Sequence, residues 1–285
     1  MNSFGRDGND TILFFHTFTS MNKPIGIFDS GIGGLTVAKA IAEALPNETI
    51  IYFGDTAHLP YGDKSKESIT MYSKRITAFL LAKGCKAIVI ACNTASAHAY
   101  ADLKKAYPKV PILNVIDPTV DYCLTKYKKG KIGVIATRGT IKSRIYPRKL
   151  NKENPKLEIP QTATPLLAPM IEEGFFNNKI SKTIINSYLS TKNFEKIDAL
   201  ILACTHYPLI KKEVVAFFKR PVEVIDSASV VAEYTKKTLK DLKLLSKKKE
   251  GKNLFFISDY TESFEETSKL FFGNVIELKE ERIWD

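Results

Sequence analysis

No apolar run in the chain approaches the roughly 20 residues that a helix needs to cross a bilayer, so a membrane-spanning role is not expected. Cysteine is scarce. Cys85, Cys92, Cys123 and Cys204 are the full set, and their spacing matches neither a zinc site nor a disulfide framework. Reduced thiols in a cytoplasmic protein are the simplest reading. Acid is in deficit, with 31 Asp and Glu against 42 Lys and Arg and a net charge of +11. That excess invites a nucleic-acid partner. The lysines crowd, however, at 126–131 and 236–252, where they read as solvated loops and helix ends, and no aromatic-interleaved or Gly-rich RNA motif accompanies them. An anionic small molecule is therefore favoured over nucleic acid as the partner.

The remaining composition is ordinary. With 285 residues, 44% hydrophobic and 26% charged, the chain is long enough for two domains with real cores, and disorder is not the default. Residues 1–20 hold one apolar patch, Ile12-Leu13-Phe14-Phe15, preceded by Asp7 and Asp10. Without a cationic segment before it or a small-residue cleavage site after it, the patch does not read as a secretory signal. Met21 stands just ahead of a clean strand pattern. Residues 1–20 are read as an N-terminal extension, with a regulatory tail and a misassigned start left open.

Strand and helix signals then alternate, which predicts a parallel α/β architecture. Strands are expected at 25–28, 49–53, 87–91 and 111–116, the last ending at Asp117-Pro118, with helices at 35–44 and 68–82. A second series starts at 132. I-G-I-F-D-S at Ile25 matches I-G-V-I-A-T at Ile132, V-I-D-P-T-V at Val115 matches V-I-D-S-A-S at Val224, and Cys92 matches Cys204. Three matches in one order imply a duplicated chain. Two pseudo-symmetric lobes are expected, each a parallel sheet flanked by helices, with the active site in the cleft between them. The first lobe would comprise 21–118 plus 229–285, since the last segment has no counterpart ahead of that lobe, and the second 119–228.

Two stretches carry the chemistry, A-I-V-I-A-C-N-T-A-S-A-H at 87–98 and A-L-I-L-A-C-T-H-Y-P-L at 199–209. Each runs from a buried-strand pattern into a cysteine and then into small polar residues, which places the cysteine at the carboxyl edge of its sheet, where ligands bind. A cysteine at a helix N-terminus or beside an imidazole is a candidate thiolate. Cys85 and Cys123 read as small buried hydrophobes. Two opposed thiols suit one task that a single thiol does not, proton removal from one face of a carbon and proton delivery to the other. D-S-G-I-G-G at 29–34 lacks the G-x-G-x-x-G spacing and the P-loop lysine, so no cofactor is expected, and no metal. Ser30, Asn93, Thr94 and Thr205, with the helix-start N–H groups, supply donors for a substrate carboxylate.

Together F-D-S-G-I-G-G-L (28–35), G-D-T-A-H-L-P-Y-G (54–62), A-C-N-T-A-S (91–96), P-M-I-E-E-G (169–174) and A-C-T-H-Y-P-L (203–209) resemble the glutamate racemases of the aspartate/glutamate racemase superfamily. The resemblance spans about 21–234. It implies cofactor-independent interconversion of L- and D-glutamate, supplying D-glutamate for bacterial peptidoglycan. Carried over by motif, Cys92 would deprotonate D-glutamate with help from Asp29, and Cys204 would deprotonate L-glutamate with help from His206 and Glu172. Substrate contacts would come from Asp29, Ser30, Tyr61, Gly62, Asn93, Thr94, Thr205 and His206. A homodimer is expected, and the extension allows for activation by UDP-N-acetylmuramoyl-L-alanine, as in some relatives.

Each assignment has a plainer rival. Asp29 would equally cap the helix that follows, Glu173 competes with Glu172, His206 could be a satisfied structural histidine, and P-Y-G at 60–62 is also a common turn. His16, His58 and His98 are given no chemical part. Ala168 stands where a larger apolar residue is expected, and Arg138-Gly139 lies in an expected carboxylate-binding turn. Racemisation of aspartate or another acidic amino acid, and non-catalytic binding of an acidic metabolite or nucleic acid, remain the alternatives.

Overall fold

The computed structural model describes residues 22–273 and 276–284; the proposed extension at 1–20, with His16, lies outside the described residues. The first series runs β1 (Ile25–Asp29), α1 (Leu35–Ala44), β2 (Ile50–Gly54), α2 (Lys66–Ala82), β3 (Ala87–Ile90), α3 (Asn93–Ala106), β4 (Ile112–Asn114) and α4 (Ile116–Lys126). The second follows as β5 (Gly130–Ala136), α5 (Arg138–Ser143), α6 (Ile145–Glu153), β6 (Leu157–Glu158), β7 (Gln161–Ala163), α7 (Leu167–Glu172), α8 (Lys179–Leu189), β8 (Ala199–Ala203), α9 (Lys211–Phe217) and β9 (Glu223–Asp226). The chain finishes with α10 (Ser227–Asp241), β10 (Leu254–Ile257), α11 (Glu262–Phe272) and β11 (Leu278–Glu280).

The strands form two sheets, ordered β11-β10-β2-β1-β3-β4 and β6-β5-β8-β9 with β7 also on β5, and every pairing is parallel. Strands β1, β2, β3 and β8 are buried at every position. Their unbroken apolar runs are what sheets covered on both faces require. One apolar cluster joins the two sheets through α1, α4 and α10, and a second fills the face of the first sheet under α2 and α3. Strand β10 pairs with β2 and β11 with β10, so the end of the chain widens the first sheet.

The duplication is written in the register. Ile25 pairs with Ala87 as Ile132 pairs with Ala199, and Ile88 pairs with Ile112 as Leu200 pairs with Val224. The equivalences Ile25 with Ile132 and Cys92 with Cys204 follow from it. The third match does not. Val224 is equivalent to Ile112 and not to Val115, because β4 is shorter than the expected 111–116 and stops at Asn114. Asn114 Oδ1 accepts the N–H groups of Ile116 at 2.8 Å and Asp117 at 2.9 Å and so starts α4 early. Asp117 and Pro118 fall in its first turn, where proline is tolerated because its missing N–H has no partner to lose. At the equivalent position Asp226 accepts the Ala228 N–H at 2.9 Å and starts α10. The true correspondence is thus between two short capping side chains.

Candidate active site

Strand β3 ends at Ile90, and two residues later Cys92, with extended backbone, caps α3. Its sulfur accepts the Ala95 N–H at 3.4 Å, and its thiol lies 3.6 Å from Ser30 Oγ. Burial and then the Asp29 charge push this thiol up to about 12, against the opposing pull of the Ala95 and Ser30 contacts. Cys204 lies equally far past the paired position Leu202. Its chain does not pass straight into a helix. A single turn, Tyr207–Ile210, carrying Pro208 intervenes before α9. Amides at a helix start therefore serve Cys92, while Cys204 relies on an imidazole.

That imidazole belongs to His206, with Nδ1 3.6 Å from Cys204 Sγ and Nε2 2.7 Å from Glu172 Oε1. Burial works against a charged ring, but the bonds to Cys204 and Glu172 outweigh it and raise the His206 pKa well above its ordinary value. A protonated imidazole donates from both nitrogens, so a charged His206 ring would bridge the Cys204 sulfur and the Glu172 carboxylate. Of the adjacent glutamates, Glu172 makes this contact, at the end of α7. Gly33 makes room for the ring, because a Cβ there would sit 2.4 Å from His206 Cε1.

Both thiols line one cavity of about 230 Å³, with Ser30, Tyr61, Gly62, Asn93, Thr94, Glu172, Thr205 and His206. A space below the usual 300–1,000 Å³ of ligand pockets suits a small molecule. Ala168, the departure from expectation, also lines it. A larger, more open cleft of about 870 Å³, lined by Asp117, Asp121 and Lys149 among others, holds neither thiol. Among the described residues no group of three or more His, Cys, Asp or Glu side chains is placed to hold a metal ion.

Asp29 alone among the expected site residues does not line the cavity. It is fully buried, with Oδ2 accepting the N–H groups of Gly34 at 2.9 Å and Gly31 at 3.3 Å. These bonds stop short of the first turn of α1, whose N-cap Gly34 has no side-chain cap, and they occupy one oxygen only; Oδ1 is buried without a hydrogen-bond partner. Burial raises the Asp29 pKa, while His206 and the backbone amides of Gly34, Gly31 and Ser30 pull it down.

The lobes meet through the polar residues of the site. Tyr146 on α6 donates to Asn93 Oδ1 at 2.8 Å, leaving the buried Asn93 Nδ2 without a partner. Thr94 Oγ1 lies 2.9 Å from Thr137 Oγ1 and 3.2 Å from Thr140 Oγ1, and Thr36 donates to the Thr205 carbonyl at 2.9 Å. Gly139, in the turn expected to bind a carboxylate, permits close approach, since a Cβ there would lie 2.9 Å from the Gly62 carbonyl oxygen. Arg138 beside it is exposed and 3.6 Å from Asp63. Tyr61 gives its hydroxyl to Asp55 at 2.6 Å. Thr137, Thr140, Tyr146 and Asp55 were not singled out in the sequence.

Comparison with known proteins agrees with this geometry. A family model described as Asp/Glu/hydantoin racemase matches residues 25–235. A glutamate racemase of Aquifex aeolicus is 44% identical over 256 residues, covering 90% of this chain and 96% of that protein. The crystal structure of glutamate racemase from Francisella tularensis in complex with D-glutamate has a TM-score of 0.87 at 36% identity, covering 93% of this chain and 99% of that one. The Escherichia coli glutamate racemase, solved with L-glutamate and the activator UDP-MurNAc-Ala, has a TM-score of 0.71 at 26% identity, covering 86% of this chain and 92% of that one. By sequence, fold and the pairing of two thiols at one cavity, the chain belongs to the Asp/Glu/hydantoin racemase family.

Proposed function

We propose that the protein interconverts L- and D-glutamate without a cofactor, Cys92 and Cys204 acting on opposite faces of Cα. The observation that carries this reading is that the two cysteines, at equivalent register positions of the repeated halves, line one small cavity. In the D-to-L direction the Cys92 thiolate takes the Cα proton, and the Cys204 thiol delivers its own proton to the other face. The enzyme is left with Cys92 protonated and Cys204 as thiolate, the form that runs the reverse direction. His206, bonded to Glu172, stabilises the Cys204 thiolate. The charge of buried Asp29 raises the pKa of the Cys92 thiol.

Carbanion character at Cα must be met by donors to the substrate carboxylates. The unpartnered Asn93 Nδ2 is one, and the hydroxyls of Ser30, Thr94 and Thr205 are the others. Tyr61 and Gly62 complete the wall. The proposal extends to a cytoplasmic homodimer that supplies D-glutamate for peptidoglycan, with activation by UDP-N-acetylmuramoyl-L-alanine as a further regulatory step.

The test is circular dichroism of L-glutamate and L-aspartate incubated with the purified protein and no added cofactor. Loss of signal from glutamate alone supports the reading, and loss from aspartate alone replaces it with aspartate racemisation. Cys92→Ser and Cys204→Ser should each abolish turnover with the fold intact; unchanged turnover in either refutes the two-thiol mechanism.

A further inference from the structure

The cavity wall at Tyr61 and Gly62 is held from outside by a chain of contacts that ends on the molecule's one tryptophan. Tyr61 and Ser258 both donate to the fully buried Asp55 carboxylate, at 2.6 and 2.8 Å, and His58 Nδ1 lies 2.9 Å from it. The His58 ring is clamped on two sides. Tyr72 of α2 stacks on it, with centroids 4.0 Å apart and planes at 21°, and Trp284 meets it edge-on, with centroids 4.5 Å apart and planes at 86°. Trp284 also packs on Tyr72 at 5.4 Å, and Tyr72 on Tyr61 at 5.7 Å.

The strap bearing Trp284 leaves β11 and is tied down along its length. The Glu281 N–H donates to the Ile257 carbonyl at 2.9 Å, and Arg75 Nε donates to the Ile283 carbonyl at 2.6 Å. The indole Nε1 itself is buried without a hydrogen-bond partner. The tryptophan is therefore kept in place by ring packing on His58 and Tyr72, the geometry in which aromatic edges and faces attract.

We propose that Trp284 is a positioning residue for the substrate cavity, holding the His58 ring and, through Asp55, fixing the wall formed by Tyr61 and Gly62. The inference rests on the racemase reading above. Loosening the wall weakens substrate placement without touching a thiol, so the defect falls on KM more than on kcat.

Initial rates of wild type, Trp284→Ala and Trp284→Phe are measured with both glutamate enantiomers, with folding checked by far-UV circular dichroism. Trp284→Ala should raise KM about tenfold in both directions while kcat changes less than about threefold, and Trp284→Phe, which keeps an aromatic edge, should bring KM back to within about threefold of wild type. As the single tryptophan, Trp284 also reports directly, and its emission in the wild type should change saturably with glutamate. A KM within about twofold of wild type in folded Trp284→Ala, equal defects in the two variants, or emission indifferent to saturating glutamate overturns the assignment. Should Trp284→Ala not fold, Trp284→Leu is judged by the same KM criterion. A wild type that racemises glutamate while these results fail overturns this inference alone; a wild type that does not racemise overturns the reading beneath it.

Discussion

Replacing Glu172 with Gln removes the anion 2.7 Å from His206 Nε2 while keeping the shape of the side chain. A hydrogen bond to a charged group contributes about 1.5–3 kcal/mol. Because the Glu172 side chain is 31% exposed, solvent screening trims that to about 1–2 kcal/mol, or about a 5- to 30-fold loss at 1.36 kcal/mol per decade. The loss should arise in one of the two proton-transfer steps only. The imidazolium becomes less favoured, the Cys204 thiolate loses its counter-ion, and the step at Cys92 is untouched.

Enantiomers have equal free energy, so kcat/KM must fall equally in both directions, and the asymmetry has to be read another way. With substrate deuterated at Cα, the isotope effect should grow for L-glutamate, where Cys204 removes the proton, and shrink for D-glutamate. Circular dichroism initial rates on four substrates, each enantiomer with protium or deuterium at Cα, give both numbers. A loss under about twofold, or isotope effects that move together, would refute the assignment of Glu172 and His206 to the Cys204 side.

Gly33→Ala should drive its new Cβ into His206 Cε1 at 2.4 Å and Thr205 Oγ1 at 2.7 Å, costing about 1–3 kcal/mol of stability in a thermal melt and at least about tenfold in kcat. Tyr146→Phe removes the donor to Asn93 Oδ1 and leaves a buried acceptor unpaired, so urea unfolding should report about 1–3 kcal/mol of lost stability and kinetics a raised KM. Burial disfavours the charged form of Cys92, whose thiol is pushed up to about 12, so its thiolate fraction in the empty protein is small at neutral pH and rises with pH. Iodoacetamide labelling of the Cys92 peptide, followed by mass spectrometry, should still climb about tenfold per pH unit between about pH 8 and 10, where an ordinary thiol of pKa about 8.5 levels off. A plateau near pH 9 would contradict the raised value.

Much of this architecture is legible in the sequence because parallel strands buried on both faces leave unbroken apolar runs, and a cysteine after such a run has only one place to be. The duplicated series and the equivalence of Cys92 with Cys204 follow from those runs. The match of Val115 to Val224 fails by three residues for a physical reason. Sequence similarity paired V-I-D with V-I-D, whereas the ladder pairs strands by register, and the equivalent capping side chains, Asn114 and Asp226, differ in identity. That Asp29 lies off the cavity wall is not legible in the sequence, because which way a carboxylate turns depends on the amides around it, here those of Gly31 and Gly34. Thr137, Tyr146 and Asp55 carry no local sign of their partners across the fold. Their partners Thr94, Asn93 and Ser258 are remote in sequence and meet them only in the folded chain.

The central claim is that two sulfurs serve one carbon, and its most direct test is to run L-glutamate in D₂O and stop at low conversion. Each enantiomer is then separated and its Cα deuterium read by mass spectrometry. Two thiols predict deuterium in the D-glutamate formed, because Cys92 supplies a solvent-derived proton, and protium still in the remaining L-glutamate, whose proton went to Cys204. Protium carried over into the D-glutamate, or deuterium appearing equally early in both enantiomers, would mean that one group serves both faces, contradicting the account.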